Sequence, residues 1–319
     1  IVGLNSTRYL ALDAAIGLIG AVSVPLYYTS PPAEIDHILS ASGARLLLVG
    51  APRIMERLAE IRADLPVVSF CRGPVPGGLR REVISWEAFL AMGEGRPVPL
   101  HAPVGPGDLA TLRYTSGTTG LPKGVSFQHQ HLRWMGQTMA SLLPWKARIG
   151  PASYISFLPL NHVVEGILAT YCPYYMPTAV NVYFLEDLKD IQRVLPRVRP
   201  TIFFSVPRIY EKIWEGLEGN SIGRRYLSLR DERLADRLAK RALRPLLRWQ
   251  TLRKAGLDRC AQLIAGSAPC SESLLQNFRD LGIEIHNAYG MTEAPLVTLN
   301  RLGANRLGTV GEPLPRTEI

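Results

Sequence analysis

The sequence predicts an α/β fold in which parallel-rich sheets are covered by helices, and three observations lead there. Short apolar, β-rich runs alternate with segments of helical spacing along most of the chain, the pattern of repeated βαβ units. The 319 residues suffice for a sizeable core. A composition of 47% hydrophobic and 20% charged residues is that of a folded protein and not of a disordered one.

The elements follow in order. A helix over Thr7–Gly20 leads into a β-rich run, Val22–Tyr27. Pro32 opens a second helix whose apolar face is Ile35, Ile38 and Leu39, and Ser42-Gly43 ends it. Arg45–Val49 reads as a buried strand, Pro52–Ala63 as a helix and Val67–Phe70 as a strand. Gly73–Gly107 is a Pro- and Gly-rich connection holding a short helix at Trp86–Met92. A second alternation runs through Asn181–Phe184 (strand), Glu186–Val198 (helix), Thr201–Ser205 (strand) and Arg208–Leu217 (helix). Residues 221–254 form a charged helical insert broken at Pro245, and Ala261–Ile264 returns to strand. Ser271 caps the helix Glu272–Leu281, which stops at Gly282 before the strand Ile283–His286. This organisation divides into a first α/β subdomain at 1–107, N-terminally incomplete, and a second at 108–319. The start at Ile1 and the end at Ile319 suggest a fragment.

Several function classes recede on composition. Cys71, Cys172, Cys260 and Cys270 form no CxxC pair and no zinc-like spacing, which predicts reduced thiols and a cytoplasmic protein. No signal peptide or membrane span is evident. The net charge is +9, and the excess concentrates between Arg193 and Arg259. That region reads as a solvated helical face, as a peripheral membrane contact or as a site for a phosphorylated ligand. No groove-reading motif points to nucleic acid.

The chemistry concentrates in Tyr114–Val125, YTSGTTGLPKGV. Gly117, Gly120 and Gly124 let backbone approach an anion closely, Thr115, Ser116, Thr118 and Thr119 offer hydroxyl donors, and Lys123 adds a compact positive charge. Apolar, buried-looking strands flank the loop on both sides. This is a phosphate cradle, but not a Walker A loop, which needs four residues between its first Gly and Gly-Lys-Ser/Thr.

Four further segments stand in order behind it: LPLNH (Leu158–His162), RPTIFFSVPRIYEKI (Arg199–Ile213), AGSAP (Ala265–Pro269) and NAYGMTEAP (Asn287–Pro295), with GTVGEPLP at Gly308–Pro315. With these the chain resembles the adenylate-forming, AMP-binding ligases over nearly its whole length. The form of the second segment and the insert after it look most like long-chain fatty acyl-CoA synthetases.

The resemblance implies the large N-terminal domain of such a ligase, without its C-terminal domain. It implies activation of a fatty acid carboxylate by ATP to acyl-AMP, followed by transfer to CoA, with Mg²⁺ as the cation. Thr115, Ser116, Gly117, Thr118, Thr119, Gly120 and Lys123 would hold the β- and γ-phosphates. Thr292 would contact the α-phosphate, Glu293 would ligate Mg²⁺, and His162 would lie near the carboxylate. Gly266, Ser267, Ala268 and Pro269, with Asn287, Ala288, Tyr289 and Gly290, would form the nucleoside pocket, Tyr289 against the base. Two alternatives stay open: a ligase for another acid or for a carrier protein, and a non-catalytic paralogue that binds acyl chains or nucleotide. The family's ribose-binding aspartate, hinge and catalytic lysine of the C-terminal domain have no counterpart before Ile319, so weak catalysis is expected of the chain alone.

Overall fold

The computed structural model describes residues 1–79, 81–97, 103–115, 120–143, 151–230 and 232–319. Its residues group into two compact units, one of residues 1–137, 156–175 and 184–186, the other of residues 138–155, 176–183 and 187–319.

In the first unit the order is β1 (Val2–Gly3), α1 (Thr7–Leu18), α2 (Pro32–Ala41), β2 (Leu47–Gly50), α3 (Pro52–Glu56), β3 (Val67–Ser69), β4 (Val83–Ile84) and α4 (Trp86–Ala91). β1 to β4 form one sheet in sequence order, parallel throughout. The local reasons lie in the residues at the element ends. The Ser6 and Ser85 hydroxyls accept from the amides of Tyr9 and Ala88 at the starts of α1 and α4. Pro32 occupies the first turn of α2, and Gly43 leaves it in the left-handed region at φ 63°. Ile35, Ile38 and Leu39 turn inward with Val2, Leu47 and Val49 to make the core, each large aliphatic contributing about 1.5–3 kcal/mol by burial.

Two expectations fail here. Pro52–Ala63 is not one helix: α3 ends at Glu56 and a 3₁₀ turn follows at Leu58–Glu60. The Asp36 carboxylate accepts from the amides of Arg62 and Ala63, at 2.8 and 2.9 Å, which holds those residues outside a helix. Nor is Val22–Tyr27 a strand. It joins its neighbours only through isolated bridges, Val2 with Leu26 and Ser23 with Thr111, because Pro25 removes a donor from its middle.

β5 (Leu109–Thr115) and β6 (Lys123–Gln128) form an antiparallel two-stranded sheet that feeds α5 (His129–Leu142). β7 (Ala152–Ser156) pairs with β8 (Val180–Phe184). The LPLNH segment runs into α6 (Val163–Glu165) and a π-helical stretch, Gly166–Tyr171.

The second unit continues with α7 (Ile191–Val198), β9 (Ile202–Ser205), α8 (Pro207–Glu218), α9 (Ser221–Ser228), α10 (Leu234–Ala255), β10 (Gln262–Ala265), α11 (Glu272–Asp280), β11 (Ile285–Tyr289), β12 (Thr298–Leu299) and β13 (Glu312–Pro313). β9, β10 and β11 are parallel neighbours, and β12 and β13 extend the sheet antiparallel. The helical insert corrects another expectation: α10 runs unbroken through Pro245. Pro245 and Arg241, whose carbonyl loses its partner, both lie on the exposed side, and buried Leu247 and Thr251 anchor the turn beyond. Gly256, at φ 74°, then ends the helix. All four cysteines are free. No helix among the described residues is long and apolar enough to cross a membrane.

Candidate active site

Part of the phosphate-loop signature is carried by the β5–β6 hairpin. Thr115 pairs with Lys123 in register, and its hydroxyl donates to the Lys123 carbonyl at 3.5 Å. Ser116, Gly117, Thr118 and Thr119 lie outside the described residues. Gly120 and Lys123 are exposed. A side chain at Gly124 would meet the Tyr114 ring at 3.0 Å, so the two strands close tightly behind the loop. The flanking strands are not both buried as expected: in β6 only Phe127 is, because a two-stranded ribbon covers one face at most.

A charged residue that sequence reading passed over stands behind the hairpin. Arg113, in the middle of the apolar run of β5, is 2% exposed. Its Nη1 donates to the carbonyls of Leu160 and Asn161 at 2.9 and 3.3 Å, clamping the turn that presents His162. Gly166 makes room, since a Cβ there would lie 2.1 Å from Nη1. Buried Asp13 accepts from Ser23 and from Tyr171, and Asn5 donates to Ser156 and to the Leu158 carbonyl. The signal available in the sequence was an arginine at a core position of a strand and an aspartate inside the apolar run of α1. Buried charges persist only when paired or hydrogen-bonded.

His162 itself is half-buried, its amide donating to the Pro159 carbonyl and its Nδ1 buried without a partner. Burial, and then the positive charge of Arg113, hold its pKa below the ordinary histidine value. The ring is accordingly neutral and offers nitrogen lone-pair or N–H contacts at neutral pH.

In the second unit the AGSAP and NAYG segments leave the same end of the parallel sheet side by side. Ala265 is the register partner of Asn287; β10 ends at Ala265, and β11 runs on to Tyr289. The backbones approach closely at two glycines. A Cβ at Gly266 would lie 3.0 Å from the Phe204 ring and 3.2 Å from the Ala288 carbonyl, and one at Gly290 would lie 2.2 Å from the Pro295 carbonyl. Ser267 turns the chain in the left-handed region at φ 63°. Ser267, Ala268 and Pro269 are exposed, Tyr289 is 46% exposed, Ala288 is buried, and Asn287 donates to the Thr309 carbonyl. Met291 and Ala294 exchange backbone hydrogen bonds, making a tight turn with Thr292 half-buried and Glu293 exposed at its tip. Ends of parallel strands next to one another are where α/β folds bind ligands.

An α/β architecture with this strand-end constellation defines an adenylate-forming ligase fold. Solved structures agree. A malonyl-CoA ligase in a ternary product complex with methylmalonyl-CoA and AMP is 26% identical and superposes with a TM-score of 0.66 over 98% of this chain and 56% of its own. The A-PCP didomain of a carboxylic acid reductase from Segniliparus rugosus, in complex with AMP, reaches 0.71 over 94% of this chain and 43% of its own at 22% identity, a likeness of fold alone.

The chain belongs to the AMP-binding enzyme family, whose pattern matches residues 1–319. Among curated relatives, the long-chain-fatty-acid–CoA ligase ACSBG2 of Gallus gallus is 29% identical over 92% of this chain and 42% of its own length. The long-chain-fatty-acid–CoA ligase FadD15 of Mycobacterium bovis is 29% identical over 99% of this chain and 55% of its own. The chain thus spans about half the length of the curated relatives it matches.

Proposed function

We propose that this chain is the ATP- and acid-binding part of a long-chain fatty acid–CoA ligase. The observation that carries the reading is the shared strand end of β10 and β11, where AGSAP and NAYGMTE emerge side by side around two close backbone approaches. A flat base can slide against the small residues Gly266, Ser267, Ala268 and Pro269 with Tyr289 on its face, and Asn287, Ala288 and Gly290 complete that wall.

In the activation step a carboxylate oxygen attacks the α-phosphorus of ATP and pyrophosphate leaves, giving acyl-AMP. The thiol sulfur of CoA then attacks the acyl carbon and AMP departs. Since one anion approaches another in the first step, the protein mainly screens charge. Lys123 and the donors of the loop serve the β- and γ-phosphates. Thr292 donates to the α-phosphate, and neutral His162 can approach the carboxylate without neutralising it. Glu293, exposed on its turn, fits Mg²⁺ as a single hard oxygen ligand. Among the described residues no cluster of three or more His, Cys, Asp or Glu could hold a metal, so phosphate and water would complete the shell. The cation supplies charge neutralisation at the phosphates when bound.

ATP–pyrophosphate exchange by the full-length protein with a panel of acids tests this. Stimulation by C12 to C18 acids, and not by acetate, malonate or aromatic acids, is the expected result. Exchange with malonate alone would move the assignment to another acid, and no exchange with any acid would end the ligase reading. Thioester formation offered CoA and a holo-carrier protein separates the two acceptors.

Peripheral membrane contact belongs to the same reading. Leu234, Leu238 and Trp249 on α10 are 64%, 58% and 59% exposed, and with Ala242 and Pro245 they recur every three or four residues, so they share one outward face. Arg237, Arg241, Arg244 and Arg248 run one position behind, along one flank. Apolar side chains beside a row of arginines suit an anionic bilayer surface. Leu238→Asp with Trp249→Asp is expected to abolish co-sedimentation with phosphatidylglycerol vesicles, and undiminished binding would remove α10 from the contact.

A further inference from the structure

The helices of the second unit enclose a cavity that the reading above leaves unused. α10 packs on α7 and on α8, and the three leave a space of about 440 Å³, within the range of small-molecule sites. Its walls come from residues about one turn apart: Leu195 of α7, Ile209 and Ile213 of α8, and Leu247 of α10. Among the described residues no aromatic side chain lines it, which argues against a nucleobase, and no carboxylate does either. Lys212 and Lys254 stand at the lining, so the cavity favours an anion. Gln250 also lines it, and its side-chain NH2 is a group that can donate to an anionic head group.

One exposed residue at the lining is a glycine, Gly216. It lies within α8 and lines the space. A Cβ built there meets no atom within 4 Å, and its φ is not in the positive range. Neither conformation nor a crowding neighbour asks for glycine, which weakens a helix relative to alanine. What the missing side chain leaves is room.

We propose that this cavity is a second acyl-binding site that takes an unbranched aliphatic carboxylate, its chain against Leu195, Ile213 and Leu247 and its carboxylate beside Lys212 and Lys254. An apolar ligand without charge would make no use of the two exposed ammonium groups, and a compact polyanion would leave the aliphatic walls empty. None of the residues lining it is one assigned to the activation reaction.

The test uses the full-length protein saturated with a non-hydrolysable dodecanoyl-adenylate analogue, which fills the activation site. [1-¹³C]Dodecanoate is titrated and its carboxyl resonance followed. One additional bound resonance is expected, which Gly216→Leu removes and Gly216→Ala retains, and which dodecanol does not displace. Lys212→Glu with Lys254→Glu weakens it about tenfold. If Gly216→Leu fails to fold by circular dichroism, the charge-reversal pair, on exposed positions, decides. Absence of the additional resonance, or its survival at full strength in the charge-reversal protein, overturns the proposal. Failure of the analogue to shift the thermal midpoint would count against the adenylation reading, and the Gly216 and lysine variants would still report on this cavity.

Discussion

The turn presenting His162 and the strand ends of β10 and β11 are supported in opposite ways. The first is held by charge: a buried guanidinium reaches from β5 and grips the carbonyls of Leu160 and Asn161. The second is held by proximity, with Gly266 and Gly290 letting backbone lie against an aromatic ring and a carbonyl. A charged clamp depends on keeping hydrogen-bond donors in place, and a close approach depends on keeping atoms out. The two regions should therefore fail differently.

The largest effect is expected at Gly290→Val. Its new side chain would overlap the Pro295 carbonyl and displace the turn bearing Thr292 and Glu293, costing about 4 kcal/mol in urea denaturation. A cost below about 1 kcal/mol would show that this end of the sheet is pliable. Arg113→Met comes next at about 3 kcal/mol, because the carbonyls of Leu160 and Asn161 lose their donor and buried Asp13 loses a nearby positive charge. Arg113→Lys should recover part of this, which a purely steric role would not allow. Glu293→Ala changes stability by less than about 0.5 kcal/mol. In the full-length protein it lowers exchange about a hundredfold, and unchanged exchange would take Glu293 out of the cation site.

The smallest effect is a pH slope. His162 has a folded-state pKa below its ordinary value, with burial the larger cause and Arg113 the second. The unfolded chain therefore takes up the proton first. The group costs nothing well above about pH 6.5 and destabilises as pH falls through the window beneath that value. His162→Asn should flatten the slope in denaturation series between pH 5 and 8, and Arg113→Met should reduce it by raising the histidine's folded pKa. Buried His286, also lowered by burial, keeps a residual slope in both.

Much of this was legible in the chain. The helix starts at Thr7, Pro32 and Ser271 and the stops at Gly43 and Gly282 follow from local chemistry, and the structure keeps them. What was not legible depended on distant partners. Arg62 and Ala63 are held outside the expected helix by Asp36, which accepts from their amides from another helix, and no window around Pro52 contains that information. α10 survives Pro245 because the affected turn faces outward and buried Leu247 holds the helix beyond. In the candidate site, the phosphate-loop residues stood out by type and spacing, and the other candidates through the resemblance to a family. Arg113 did not, since its meaning lies in two carbonyls far along the chain and in the space left at Gly166.

Ser267 carries one more consequence. A left-handed backbone is close to free for glycine and costs other residues about 1–2 kcal/mol, yet a serine stands there at φ 63°. Ser267→Gly is thus the substitution that would relax this edge of the sheet, stabilising the folded chain while loosening the rim it shapes. A programme of selection for heat resistance alone would be drawn to that position early, and would be trading rigidity at the proposed nucleoside wall for a higher melting temperature.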